Sequence, residues 1–119
     1  MYNKENIRKW VNALRSGEYK QGGNYLCYTS SKVTRYCCLG VACEVAIENG
    51  VDTIKKQHDS ICFSYDGDTS FLPERVQDWL GLPETNPSVE NIDCIHMNDD
   101  LRYSFEKIAA LLEDEYLDE

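Results

Sequence analysis

The sequence predicts a single α+β domain, about four helices packed on a small, mostly antiparallel sheet. Three observations carry this prediction. Segments with apolar residues at i, i+3, i+4 and i+7 are interleaved with short aromatic, period-two stretches, and clusters of Gly, Asn, Asp and Ser separate them. A length of 119 residues allows one core and is too short for two ordinary domains. Apolar residues at 42% and charged residues at 28% match a folded globular chain and argue against disorder.

The first helix rests on Ile7, Trp10, Val11 and Leu14, which share one face, with Asn3 as its cap and Ser16-Gly17 as its stop. Gln21-Gly22-Gly23-Asn24 reads as a turn or mobile loop, residues 25–29 as a short strand, and Ser30-Ser31-Lys32 as a second turn. A second helix is expected from about Cys37 to Glu48, since Cys38, Val41, Ala42, Val45 and Ala46 recur with helical period. Gly40 and Ala42 point to close approach of another backbone, and Asn49-Gly50 ends the helix. Residues 60–65 alternate, placing Ile61, Phe63 and Tyr65 on one side of a strand. Asp66-Gly67 predicts a two-residue hairpin, with residues 69–72 as the returning strand. Pro73 opens a short third helix with Val76, Trp79 and Leu80 inward and Gly81 as its stop. After a loop at 83–88, residues 92–97 read as a strand. Ser104 caps a last helix with Phe105, Ile108, Leu111 and Leu112 inward. The acidic tail, 113–119, is expected to fray.

Charge narrows the partners. The net charge is −9, yet residues 1–58 carry nine basic and five acidic side chains, and residues 59–119 three and sixteen. Such a chain lacks the positive field that non-specific binding to nucleic acid or an anionic membrane requires. No apolar run approaches the roughly 20 residues that cross a bilayer, and residues 1–10 lack the apolar stretch of a signal peptide. Cys27, Cys37, Cys38, Cys43, Cys62 and Cys94 sit mostly in apolar surroundings and read as reduced core residues; their gaps do not match paired zinc ligands. No cofactor is implied.

The most informative stretch is 19–43, which contains no acidic residue. It interleaves Lys20, Lys32 and Arg35 with Tyr19, Tyr25, Tyr28 and Tyr36, and ends in a helix whose N-terminus exposes backbone N–H groups near Cys38. Cations, aromatic faces and a helix N-terminus together suit a phosphorylated, base-containing small molecule. The competing reading is that the tyrosines pack the sheet and the basic side chains are solvated. Neither a Walker motif nor a dinucleotide glycine fingerprint is present. Cys37 and Cys38 at a helix start, with His96 on a later strand, follow the chain order of papain-like thiol enzymes, where a helix N-terminus lowers the thiol pKa. Against this stands the ordinary case of a buried thiol and a strand histidine. The carboxylates at Asp66, Asp68, Asp93, Asp99 and Asp100 are explained by turn chemistry better than by a divalent cation.

Four segments, 9–19, 36–43, 72–82 and Met97-Asn98-Asp99 followed by 104–109, occur in an order that resembles a group of small accessory proteins of tailed bacteriophages and prophages. The resemblance implies expression in the cytoplasm of a bacterial host and a counter-defence role, by sequestering a nucleotide-derived signal or blocking a host protein. It transfers no catalytic residue, but it retains Asn98 and Asp99 as ligand-site candidates. The expected function is binding of a nucleotide-like small molecule without turnover, through Tyr25, Tyr28, Lys32, Arg35, Tyr36, Cys38, Asn98 and Asp99. The alternatives are a protein–protein inhibitor using the acidic C-terminal half and a small cysteine hydrolase. Partners that remain open are the small molecule, a host protein and a second copy of the chain.

Overall fold

The computed structural model describes residues 2–117. The fold is α+β, as predicted: the described residues form four α-helices, two wide π-helical turns and three two-stranded antiparallel ribbons in place of one continuous sheet. Helix α1 (Lys4–Ser16) begins where the Asn3 side chain accepts from the Asn6 N–H and ends at Gly17, whose φ of 81° is the left-handed conformation glycine adopts freely. Its buried face is Ile7, Trp10, Val11 and Leu14, and it packs against α2 (Cys38–Glu48) and α4 (Phe105–Leu112). The Trp10 indole N–H donates to the Cys38 carbonyl at 2.9 Å, so the largest core side chain also reads the start of α2.

Helix α2 is apolar on nearly all sides and runs through the centre. Gly40 permits this: a Cβ there would lie 1.8 Å from the Leu26 carbonyl oxygen, so the close backbone approach expected from sequence is present. Strands β1 (Cys27–Ser30) and β2 (Val33–Tyr36) pair through a tight turn at Ser31 and Lys32, both at positive φ. On the other side of β2, Gln21 forms a parallel bridge with Tyr36. There the Gly22 N–H donates to the Tyr36 carbonyl, and the Tyr36 N–H to the Lys20 carbonyl, each at 2.8 Å. The 20–22 segment is thus tied to β2 and is not a free loop.

Several expectations are corrected here. Strand β4 (Phe63–Tyr65) pairs with β3 (Lys55–Gln57), and residues 69–72 form no returning strand. Asp66-Gly67 still makes the tight turn, closed by a Tyr65–Asp68 bridge. Ile61 faces solvent, while Cys62, Ser64 and Tyr65 are buried. In α3 (Glu74–Leu80), Val76 and Leu80 are inward and Trp79 is only half-buried. Residues 92–97 are not one strand: β6 (Ile92–Asp93) pairs with β5 (Ser88–Val89), and the chain then turns into a π-helical turn at His96–Asp100. The expected frayed tail does not start at 113. Glu113–Leu117 forms the second π-helical turn with Tyr116 and Leu117 buried, and Glu113 pairs with Arg8 and Arg15 of α1. Asp118 and Glu119 lie outside the described residues.

Candidate functional site

Two chain segments far apart in sequence meet at the N-terminal end of α2. One is 21–24, held against β2; the other is the π-helical turn that carries Asn98 and Asp99. Asn98 joins them. It is 5% exposed, its Oδ1 accepts from the Cys38 N–H at 3.2 Å and from Gln21 Nε2 at 3.0 Å, and its Nδ2 donates to the Gly22 carbonyl at 2.7 Å. The same Nδ2 donates to Asp99 Oδ1 at 2.8 Å, which orients that carboxylate. Gln21 extends the network: Nε2 also donates to the Tyr103 carbonyl, and Oε1 accepts from the Phe105 N–H at the start of α4. A buried amide with both its atoms engaged on two separate segments fixes their relative position.

Between these segments lies an open cleft of about 420 Å³, with residues 21–24 on one wall and Asn98, Asp99 and Arg102 on the other. Its lining is polar. Packing requires glycine at 22 and leaves little room for a side chain at 23. A Cβ at Gly22 would come within 2.8 Å of Arg35 Cβ, and one at Gly23 within 3.1 Å of Asp99 Oδ1. Among the described residues, the Gly23 and Asn24 N–H groups donate to no protein acceptor, and Arg102 makes no hydrogen bond or ion pair. Asn24 and Arg102 both hold positive φ, 75° and 56°.

The structure divides the residues expected from sequence. Asn98 and Asp99 are in the cleft. Tyr28 and Arg35 stand behind its glycine wall, where Arg35 Nη1 donates to the Gln21 carbonyl at 3.2 Å, so Arg35 supports the loop. Cys38 lies beneath and contributes its backbone N–H to Asn98. Tyr25 lines an adjoining hollow, and Lys32 and Tyr36 line a different, shallow cavity with Lys20 and Glu18. The Tyr36 ring is engaged edge-on by Tyr19 and faced by the Lys55 ammonium, which also pairs with Glu44 at 2.6 Å. Sequence reasoning missed Arg102 as a cleft residue and missed Gln21 as the loop's anchor.

The helix N-terminus is not open to an anion. Asn98 takes the Cys38 N–H, and a Cβ at Gly40 would meet the Leu26 carbonyl oxygen, so backbone already crowds the first turn. The thiols are shifted away from reactivity as well. Burial, then the neighbouring Cys38, pushes the Cys37 thiol up, and a hydrogen bond with Cys94 together with burial pushes the Cys38 thiol up. His96 sits at the surface, its Nδ1 2.8 Å from Asp100 Oδ2. The cysteine–histidine pairing of the hydrolase reading is therefore absent among the described residues. None of them forms a group of three or more His, Cys, Asp or Glu side chains suited to a metal, and none of the helices they form is long and apolar enough to cross a membrane.

The chain belongs to the family described as a domain of unknown function (DUF8296), which matches residues 2–116. No curated protein and no solved structure shows significant similarity to it.

Proposed function

We propose that the protein binds, and does not transform, a phosphorylated nucleotide-derived small molecule in the cleft between residues 21–24 and the 98–102 turn. One observation carries the reading: a preorganised polar cleft lined by residues whose donors have no protein partner, the Gly23 and Asn24 N–H groups and Arg102, together with a carboxylate oriented by Asn98. Backbone N–H groups and a guanidinium suit phosphate oxygens, and an aspartate accepts from hydroxyl or amino groups of the same ligand. Sequestration as a phage counter-defence measure remains the biological reading the resemblance favours. The test is calorimetry of the protein against ribose 5-phosphate, ADP-ribose and mono- and cyclic dinucleotides. Binding by at least one, weakened about 10- to 100-fold in Arg102→Ala, is the expected result, matching loss of one charge-assisted hydrogen bond. Affinity no better than about 100 μM across the panel, or an undiminished Arg102→Ala variant, would remove the proposal.

A further inference from the structure

A second hollow, about 220 Å³, adjoins the polar cleft and shares Asn24 and Asp99 with it. Its remaining lining is mostly apolar: Tyr25, Phe71, Ile95 and Cys37, with Ser70 at one side. Phe71 and Tyr25 are 49% and 38% exposed, two large aromatic side chains left partly uncovered at one hollow. Aromatic side chains of this kind offer a stacking surface to the planar ring of a nucleobase, whatever its sequence of donors and acceptors. Asp99 stands where the two spaces meet. Its Oδ1 is held by Asn98, and among the described residues its Oδ2 accepts from no protein group. In a nucleotide, the unit between a stacked ring and a phosphate is the sugar, and a carboxylate can accept from both hydroxyls of a cis-diol.

We propose that the two spaces form one ribonucleotide site. The base lies in the Phe71–Tyr25 hollow, the ribose 2′,3′-diol donates to Asp99, and the 5′-phosphate meets Arg102 and the Gly23 and Asn24 N–H groups. Together the volumes fall in the range of small-ligand sites. This inference rests on the reading of the polar cleft given above and adds two requirements to it: a ring and a 2′-hydroxyl. A site built to hydrogen-bond a hydroxyl discriminates strongly against the analogue that lacks it, because its acceptor is then left unpaired.

The experiment measures affinity for the four ribonucleoside 5′-monophosphates, their 2′-deoxy counterparts and ribose 5-phosphate, on the parent protein and on Phe71→Ala, Asp99→Asn and Arg102→Ala. Thermal melts check that each variant is folded. At least one ribonucleotide should bind tenfold or more tighter than both its deoxy counterpart and ribose 5-phosphate. Phe71→Ala should abolish the advantage over ribose 5-phosphate while leaving ribose 5-phosphate affinity unchanged, and Asp99→Asn should abolish the ribo–deoxy difference. If ribose 5-phosphate binds in an Arg102-dependent way but no base or 2′-hydroxyl improves it, the ribonucleotide site is overturned and the cleft reading stands. If neither ribose 5-phosphate nor any monophosphate binds, the ribonucleotide site falls, and the cleft reading falls with it when ADP-ribose and the cyclic dinucleotides also fail to bind.

Discussion

The α1–α2–α4 core and the junction between residues 21–24 and 94–102 are built by opposite means. In the core, Ile7, Leu39, Val41, Ile108 and Leu112 are all fully excluded from solvent and hold by shape, each exchangeable in principle for another apolar side chain of similar volume, and Trp10 adds one hydrogen bond to its packing. At the junction, one amide, Asn98, holds four groups at once, and no other residue type supplies both its donor and its acceptor at that length. The first region tolerates chemical substitution at constant volume; the second tolerates almost none, even though it contributes less apolar burial. The core thus holds by packed volume and the junction by a single polar side chain.

Five changes probe that division, from largest to smallest effect. Trp10→Ala removes the biggest buried side chain and leaves the Cys38 carbonyl without its indole donor, so denaturant unfolding should show a loss of about 3–5 kcal/mol, near the whole stability of a domain this size. Asn98→Ala strands the Cys38 N–H and the Gly22 carbonyl in a buried setting. It should cost about 2–4 kcal/mol by the same measurement and abolish the proposed binding in the cleft. Trp79→Ala, at a half-buried position, should cost only about 1–2 kcal/mol. A Trp79 loss equal to that of Trp10 would show that α3 contributes to the core as fully as α1.

Two smaller effects concern charge and redox state. Arg15 and Arg8 hold the Glu113 carboxyl below its ordinary value of 4.5. A depressed carboxylate stabilises the folded state above its unfolded pKa, and that contribution is lost as pH falls through the folded one. Stability measured from pH 6 down to acid should therefore fall less steeply in Glu113→Gln than in the parent, and the difference should shrink with added salt, since the pair is at the surface. All six cysteines are free and buried, so reductant should leave the melting temperature unchanged and thiol labelling should await unfolding. A drop of about 5 °C or more on reduction would instead reveal a disulfide.

What could be read from sequence divides along the same line. Helices α1, α2 and α4 and their caps at Asn3, Gly17 and Ser104 were legible because their determinants are local and periodic. Strand β3 was not: Lys55-Lys56-Gln57 has no apolar alternation, and it pairs with β4 where the Lys55 ammonium sits over the rings of Tyr36, Phe63 and Tyr65. The Asp66-Gly67 turn is legible but the strand that pairs with β4 is not, since a tight turn specifies its geometry and not which neighbouring segment completes the ladder. In the candidate site, Asn98 and Asp99 were marked only by resemblance, while the acid-free stretch drew attention to Lys32 and Tyr36, which the fold places elsewhere. Arg102 is a solitary cation in a polar turn, and Gln21 an ordinary loop residue. Hydrogen bonds between residues some 77 apart leave no periodic trace, so neither could be singled out from sequence.

Arg102 holds a left-handed backbone that an L-residue occupies at a penalty and glycine does not. Substitution by glycine would relieve that penalty, and even after the extra chain entropy of glycine a gain of about 0.5–1 kcal/mol is expected. It would also delete the guanidinium from the cleft. A laboratory selection for heat resistance alone would therefore drift toward glycine at this position, yielding a sturdier protein with no cation at residue 102. A selection that also demanded ligand capture would keep arginine there against the gradient, which makes residue 102 a place where the two pressures can be told apart in a single sequenced population.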